Sequence, residues 1–258
     1  GRATLTTGKA EVENGNLKGY HVQGGKVTVG EKGMDNRQAD YTDIISEKAE
    51  IKGGVWSNKG IKVTTGKNKV DRTNDSVVYV GEQPEANNPT TPENQSTYSV
   101  DVSQLGGMYA EKIHLVDNGQ GLGVRNAGHI GASAGDVKID SQGRIVNEGH
   151  ISASENTALN SQKKIENRGT VYAKGQATLK AQDIDNRQGV IAAKQVELNA
   201  NNVDNSKQSD KGSLIVASDK LAIKAKHVDN KGTKVNGKTE QGLRAAQVVI
   251  AADDLSNQ

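Results

Sequence analysis

The chain has 258 residues, 33% hydrophobic, 25% charged and 3% aromatic, with 30 Gly, 3 Pro and neither Cys nor Phe. So small an apolar share, well under the ~45–50% of ordinary globular domains, excludes a thick rounded core. The missing Cys excludes disulfides and thiolate chemistry. The formal charge of +2, from 33 basic and 31 acidic residues spread along the chain, excludes the electrostatic footprint of a nucleic-acid or anionic-membrane binder and argues against disorder.

In chain order, short alternating segments are predicted as strands at 3–6, 17–22, 26–29, 43–45, 48–51, 54–57, 61–64, 77–80, 98–102, 108–110 and 112–116. They are read as irregular coils continuous with the more regular second half of the chain. All three prolines, Pro84, Pro89 and Pro92, fall in 81–97, which is predicted as a loop excursion. The string Gly119-Gln-Gly-Leu-Gly-Val lacks the Lys and the helix of a phosphate loop and is read as a turn between coils.

From Gly128 onward the chain repeats. Glycines fall at Gly128, Gly149, Gly169, Gly189, Gly212 and Gly232, spaced 21, 20, 20, 23 and 20 residues apart, and asparagines precede them at Asn126, Asn147, Asn167, Asn186, Asn205 and Asn230. Three apolar patterns recur in each repeat. The first holds Ile130, Ile151, Val171, Ile191, Ile215 and Leu243; the second Ile139, Leu159, Leu179, Leu198, Ile223 and Ile250; the third Ile145, Ile165, Ile184, Val203, Val228 and Leu255. In the first two patterns apolar residues alternate at a spacing of two, the period of a strand, and the third is a single aliphatic just before the asparagine. Three strands per ~20 residues predict an all-β fold, a parallel β-helix in which each aliphatic residue stacks on its equivalent in the next coil. The asparagines are read first as turn residues, and in register they would also be able to form an amide ladder.

Candidate chemistry is sparse. Asp183 and Asp185 are read as solvated turn carboxylates rather than a glycosidase pair. His129 and His150 occupy equivalent outward positions, two ligands where zinc needs three or four. No catalytic, cofactor or metal residue is therefore assigned. Trp56, too bulky for a thin interior, is expected to pack beneath a loop.

The strings Thr4-Leu-Thr-Thr-Gly8, Asn16-Leu-Lys-Gly-Tyr-His-Val22, Asp40-Tyr-Thr-Asp-Ile-Ile-Ser46, Gly54-Val-Trp-Ser-Asn58, Val100-Asp-Val-Ser-Gln-Leu-Gly-Gly-Met-Tyr-Ala110 and Gly121-Leu-Gly-Val-Arg-Asn-Ala-Gly128 resemble filamentous haemagglutinin-type exoproteins of two-partner secretion systems, which include contact-dependent growth-inhibition toxins. The resemblance implies a right-handed parallel β-helix. It also implies export through an outer-membrane β-barrel transporter and a place on the surface of a Gram-negative cell. Residues 1–120 would be the later part of the secretion domain and 121–258 the first shaft repeats. The family's Asn-Pro-Asn motifs do not occur here, so the chain is expected to be a fragment with those motifs upstream.

The function expected is that of a non-enzymatic shaft segment presenting a distal binding or toxin domain, with no nucleic-acid or small-molecule partner. The alternatives are a binding module that recognises a host glycan or cell receptor through excursions at 81–97 and 203–212, and, third, a carbohydrate-active β-helix enzyme.

Overall fold

The computed structural model describes residues 1–82 and 97–258, and all regular structure among them is β. The excursion expected at 81–97 falls almost wholly on 83–96, outside the described residues. Parallel strands stack coil on coil as a β-solenoid with three faces. The first includes His129–Ala132, His150–Ala153 and Thr170–Ala173; the second Val137–Ser141, Thr157–Ser161 and Gln176–Lys180. The third is a ten-stranded parallel sheet running from Lys26–Val29 to Asp254–Ser256.

Register is maintained coil after coil. On the first face Ile130 pairs with Ile151, Ile151 with Val171, Val171 with Ile191, Ile191 with Ile215 and Ile215 with Leu243. The second carries Ile139, Leu159, Leu179, Leu198, Ile223 and Ile250 in one line. The third carries Ile145, Ile165, Ile184, Val203, Val228 and Leu255. These residues are buried except for two in the last strands: Ile250 is half-buried and Leu255 is 44% exposed. Leu255, expected in the core, is thus a correction. Its strand, Asp254–Ser256, pairs with His227–Asp229, and no other strand pairs with it among the described residues.

The repeat glycines have a steric cause. A Cβ on Gly149 would collide with the carbonyl oxygen of Gly128, and one on Gly169 with that of Gly149. The backbone corner of each coil lies so close to the next that a side chain would push the coils apart.

Part of the first half departs from the expected coils. Lys9–Glu13, Asn16–His21, Asn68–Asp71 and Val77–Tyr79 form a four-stranded antiparallel sheet outside the column, so the strands predicted at 17–22 and 77–80 are not coil strands. The cause is local. Asn14 and Gly15 both take positive φ, the geometry of a tight primed turn, and Glu13 pairs directly with Asn16 across it. The sheet lies over the solenoid through a small second core of Tyr20, Val22, Ile45 and Val70.

The column makes burial, rather than residue type, the determinant of cost. Ile165→Ala should destabilise the chain by about 2–4 kcal/mol, whereas Leu255→Ala should cost less than about 1 kcal/mol. Urea unfolding followed by circular dichroism measures both, and equal losses would contradict the column.

Candidate functional site

Among the described residues no three His, Cys, Asp or Glu side chains converge as a metal site. The chain's most extended polar arrangement lies instead inside the solenoid. Where each third-face strand ends, an asparagine turns inward, and the amides link coil to coil. Asn126 Nδ2 donates to Asn147 Oδ1 at 3.0 Å, Asn147 to Asn167 at 3.0 Å, Asn167 to Asn186 at 2.9 Å, Asn186 to Asn205 at 2.9 Å and Asn205 to Asn230 at 3.0 Å. Asn230 donates in turn to Asn257 at 2.7 Å.

The second N–H of each amide reaches backbone of the following coil: Asn126 to the His150 carbonyl, Asn147 to that of Thr170 and Asn167 to that of Val190, each at 3.0 Å. The side-chain oxygens also accept from the turn, as Asn126 Oδ1 does from Gly128 N at 3.2 Å. The asparagines are therefore both turn residues and a ladder. An amide carries donor and acceptor together, so identical copies at one-coil spacing satisfy each other in a dry interior. Asn167→Ala would leave one N–H of Asn147 and the Oδ1 of Asn186 without their partners and should cost about 2–4 kcal/mol, measured by urea unfolding.

Charged residues cannot stack on themselves, and the structure compensates them. Glu166, Asp185, Asp204 and Asp229 occupy one line on the third face. Asp185, expected to be solvated, is only 4% exposed. Arg168 grips it at 3.0 and 2.7 Å and Arg187 at 3.1 and 2.8 Å. Burial alone would raise this carboxyl, but the hydrogen bonds from Arg187 and Arg168 outweigh it and hold it well below the usual carboxylate range. Asp183 is half-buried and accepts from Asn202 Nδ2 at 2.7 Å.

Asp117 shows the opposite balance. Its carboxylate is 1% exposed and accepts from Ser141 Oγ at 2.8 Å, Gly119 N at 3.0 Å and Thr65 Oγ1 at 3.1 Å, with no Lys, Arg or His paired to it among the described residues. Burial pushes it up against those hydrogen bonds. The two acids therefore act on stability with opposite sign. A depressed pKa gives stability that is present above the unfolded value near 4 and fades as pH falls; a raised one gives stability that is lost as pH rises through the folded value. Accordingly Asp185→Asn should lower the melting temperature at pH 7 and shrink the loss on acidification. Asp117→Asn should melt at or above wild type at pH 7. Thermal melts from pH 3 to 8 test both.

On the first face Trp56 is not beneath a loop, as the sequence suggested, but on the outer surface, 42% exposed. Its indole stacks on Tyr109 with centroids 4.2 Å apart and planes 22° from parallel. Tyr109 meets His129 edge-on at 5.4 Å, and His129 meets His150 at 6.0 Å. Desolvation, aided by the neighbouring His150, lowers the His129 pKa. The sequence showed the His129–His150 equivalence but not the Trp56–Tyr109 stack. The register of two irregular coils was needed for that.

A solenoid that runs from irregular coils into 20-residue repeats, with an antiparallel sheet on its early part, defines a class: the secretion domain and adjoining shaft of a filamentous exoprotein. Residues 1–147 match the TPS secretion domain family and residues 149–207 and 191–258 the haemagglutinin repeat family. The chain belongs to the TPS secretion domain family, continued by haemagglutinin repeats.

Among curated proteins it is 42% identical over 174 residues to Toxin CdiA of Yersinia pestis, covering 67% of this chain and 5% of that protein. It is 37% identical over 154 residues to tRNA nuclease CdiA-2 of Burkholderia pseudomallei, covering 59% and 5%, and 31% identical over 240 residues to tRNA nuclease CdiA of Yersinia mollaretii, covering 87% and 8%. The chain thus spans less than a tenth of the length of these relatives. No solved structure matches it. It is a shaft segment of a secreted, cell-surface protein of Gram-negative bacteria, of a kind exported with a two-partner secretion transporter.

Proposed function

We propose that this segment works mechanically and without catalysis: it joins the secretion domain to a stiff rod that carries a distal binding or toxin domain away from the producing cell. The observation that carries this reading is continuity. Third-face strands pair without interruption from Lys26–Val29, within the secretion-domain match, to Asp254–Ser256 in the repeats. A functional division near residue 120 is supported by the antiparallel sheet, whose strands all lie before it among the described residues. The aliphatic columns and the asparagine ladder would supply the stiffness.

The nuclease activity named for some relatives would belong to parts of them beyond this match, and a receptor on another cell would be met by those distal parts. Balanced charge supports leaving nucleic acid out of the partners of this segment.

Because each coil templates the next, folding would propagate as the chain emerges from its outer-membrane transporter and help draw it outward. Ile130→Asp buries a carboxylate in the column. In the parent protein it should slow appearance outside the cell several-fold, read by pulse labelling of cells and medium; export at the wild-type rate would refute the coupling. Incubation of the purified chain with tRNA should leave the tRNA intact, and cleavage would refute the non-catalytic reading.

A further inference from the structure

The outward line Trp56, Tyr109, Gly131, Ser152, Tyr172 runs along the first face, one residue per coil. Three facts set its first part apart. Trp56 and Tyr109 stack, and Arg37 lies over the other side of the indole at 5.6 Å. Next in line is a glycine that the backbone does not require. Gly131 is not in the left-handed region, and a Cβ there would meet only His129 Nε2 at 3.4 Å and Tyr109 Cδ1 at 3.7 Å, ordinary contacts. A glycine inside a strand costs stability and often marks a place where something approaches closely. Finally, the bare rung opens a notch of about 390 Å³ lined by Trp56, Tyr109, His129, Gly131, Ser133 and Ser152. Tyr172, three coils from Tyr109 and so about 14 Å away at ~4.8 Å per coil, stands beyond it.

The chemistry of the notch selects its occupant. Arg37, its one formal charge, is already bound to Asp35 through two contacts of 2.9 and 2.7 Å, which removes the cation an acidic ligand would seek. His129 has its pKa lowered and, neutral, offers one donor and one acceptor. Ser133 and Ser152 add hydroxyls. The strands here, Gly54–Ser57, Gly107–Ala110 and His129–Ala132, are each paired on both sides, so an extended peptide finds no free edge to join. A half-buried tyrosine backed by an exposed tryptophan, with a neutral hydrogen-bonding rim and no backbone edge, suits a ring that is apolar on its face and hydroxylated at its rim.

We propose that this notch binds a neutral saccharide, one ring packing over Gly131 against the face of Tyr109 turned away from Trp56 while its hydroxyls meet His129, Ser133 and Ser152. Such a site would make the early shaft a contact surface as well as a spacer. It is independent of the mechanical reading and of the excursions considered from sequence.

Trp56 is the single tryptophan of the chain, so its fluorescence reports the site directly. The 258-residue chain is titrated with neutral hexasaccharides of glucose, mannose and galactose, and separately with a Tyr-containing tripeptide. A saturable emission change with at least one hexasaccharide and none with the tripeptide is expected. Gly131→Val, which fills the notch with a strand-favouring side chain, should weaken the response at least about tenfold while the melting temperature stays near wild type, and Tyr109→Ala should do likewise through the lost ring. If Gly131→Val does not fold, Ser152→Phe closes the notch from the opposite side. No response to any hexasaccharide, a response to the tripeptide instead, or undiminished binding by a folded notch-filled variant would each overturn the proposal.

Discussion

In-register stacking is the constraint on which the rest depends. Parallel strands hydrogen-bond coil to coil, so each side chain sits about 4.8 Å from its own counterpart. What a position tolerates is then decided by how well a residue accommodates a copy of itself. Ile, Leu and Val do so by dispersion and shared burial, and a column one residue wide makes a continuous interior from few apolar groups. Asparagine does so because its amide is both donor and acceptor. Glycine does so at the corners because the backbone of the next coil leaves no room for a Cβ.

Residues that repel their own copies need an outside partner, and the structure supplies one. The line Glu166, Asp185, Asp204, Asp229 is neutralised where it is most buried by Arg168, which reaches Asp185 from the coil before, and by Arg187 on the same coil as Asp185. Asp117 escapes like-charge stacking differently, because its counterparts are Thr65 and Ser141, hydroxyls that donate to it. Stability is consequently divided among many small nearest-neighbour terms. That suits a chain whose coils fold one upon another as it leaves a pore.

The early half answers to a second demand. Its antiparallel sheet covers Ile45, an outward residue of the second face, and ties the column to a local structure that later coils lack. The outer first face of the same region carries the stacked Trp56 and Tyr109. Both features belong to coils that do not repeat cleanly, where a residue's counterparts differ from it.

How much of this could be read from the sequence depends on the range of the interaction. The 20-residue period, the three apolar lines and the asparagine before each glycine are written in the order of residues, because a solenoid turns sequence spacing directly into spatial neighbours. Ile130 over Ile151 and Asn147 over Asn167 needed nothing else. The Asn14-Gly15 dipeptide is a primed-hairpin signal that the reading of 17–22 as a coil strand passes over. Other features arise between segments with no fixed period: Asp117 sealed among hydroxyls, and Trp56 laid on Tyr109 fifty-three residues away. Periodicity determined the column, since equal spacing forces equal neighbours. Only the tertiary structure decided those positions, because their surroundings depend on how irregular coils and the sheet beside them settle against one another.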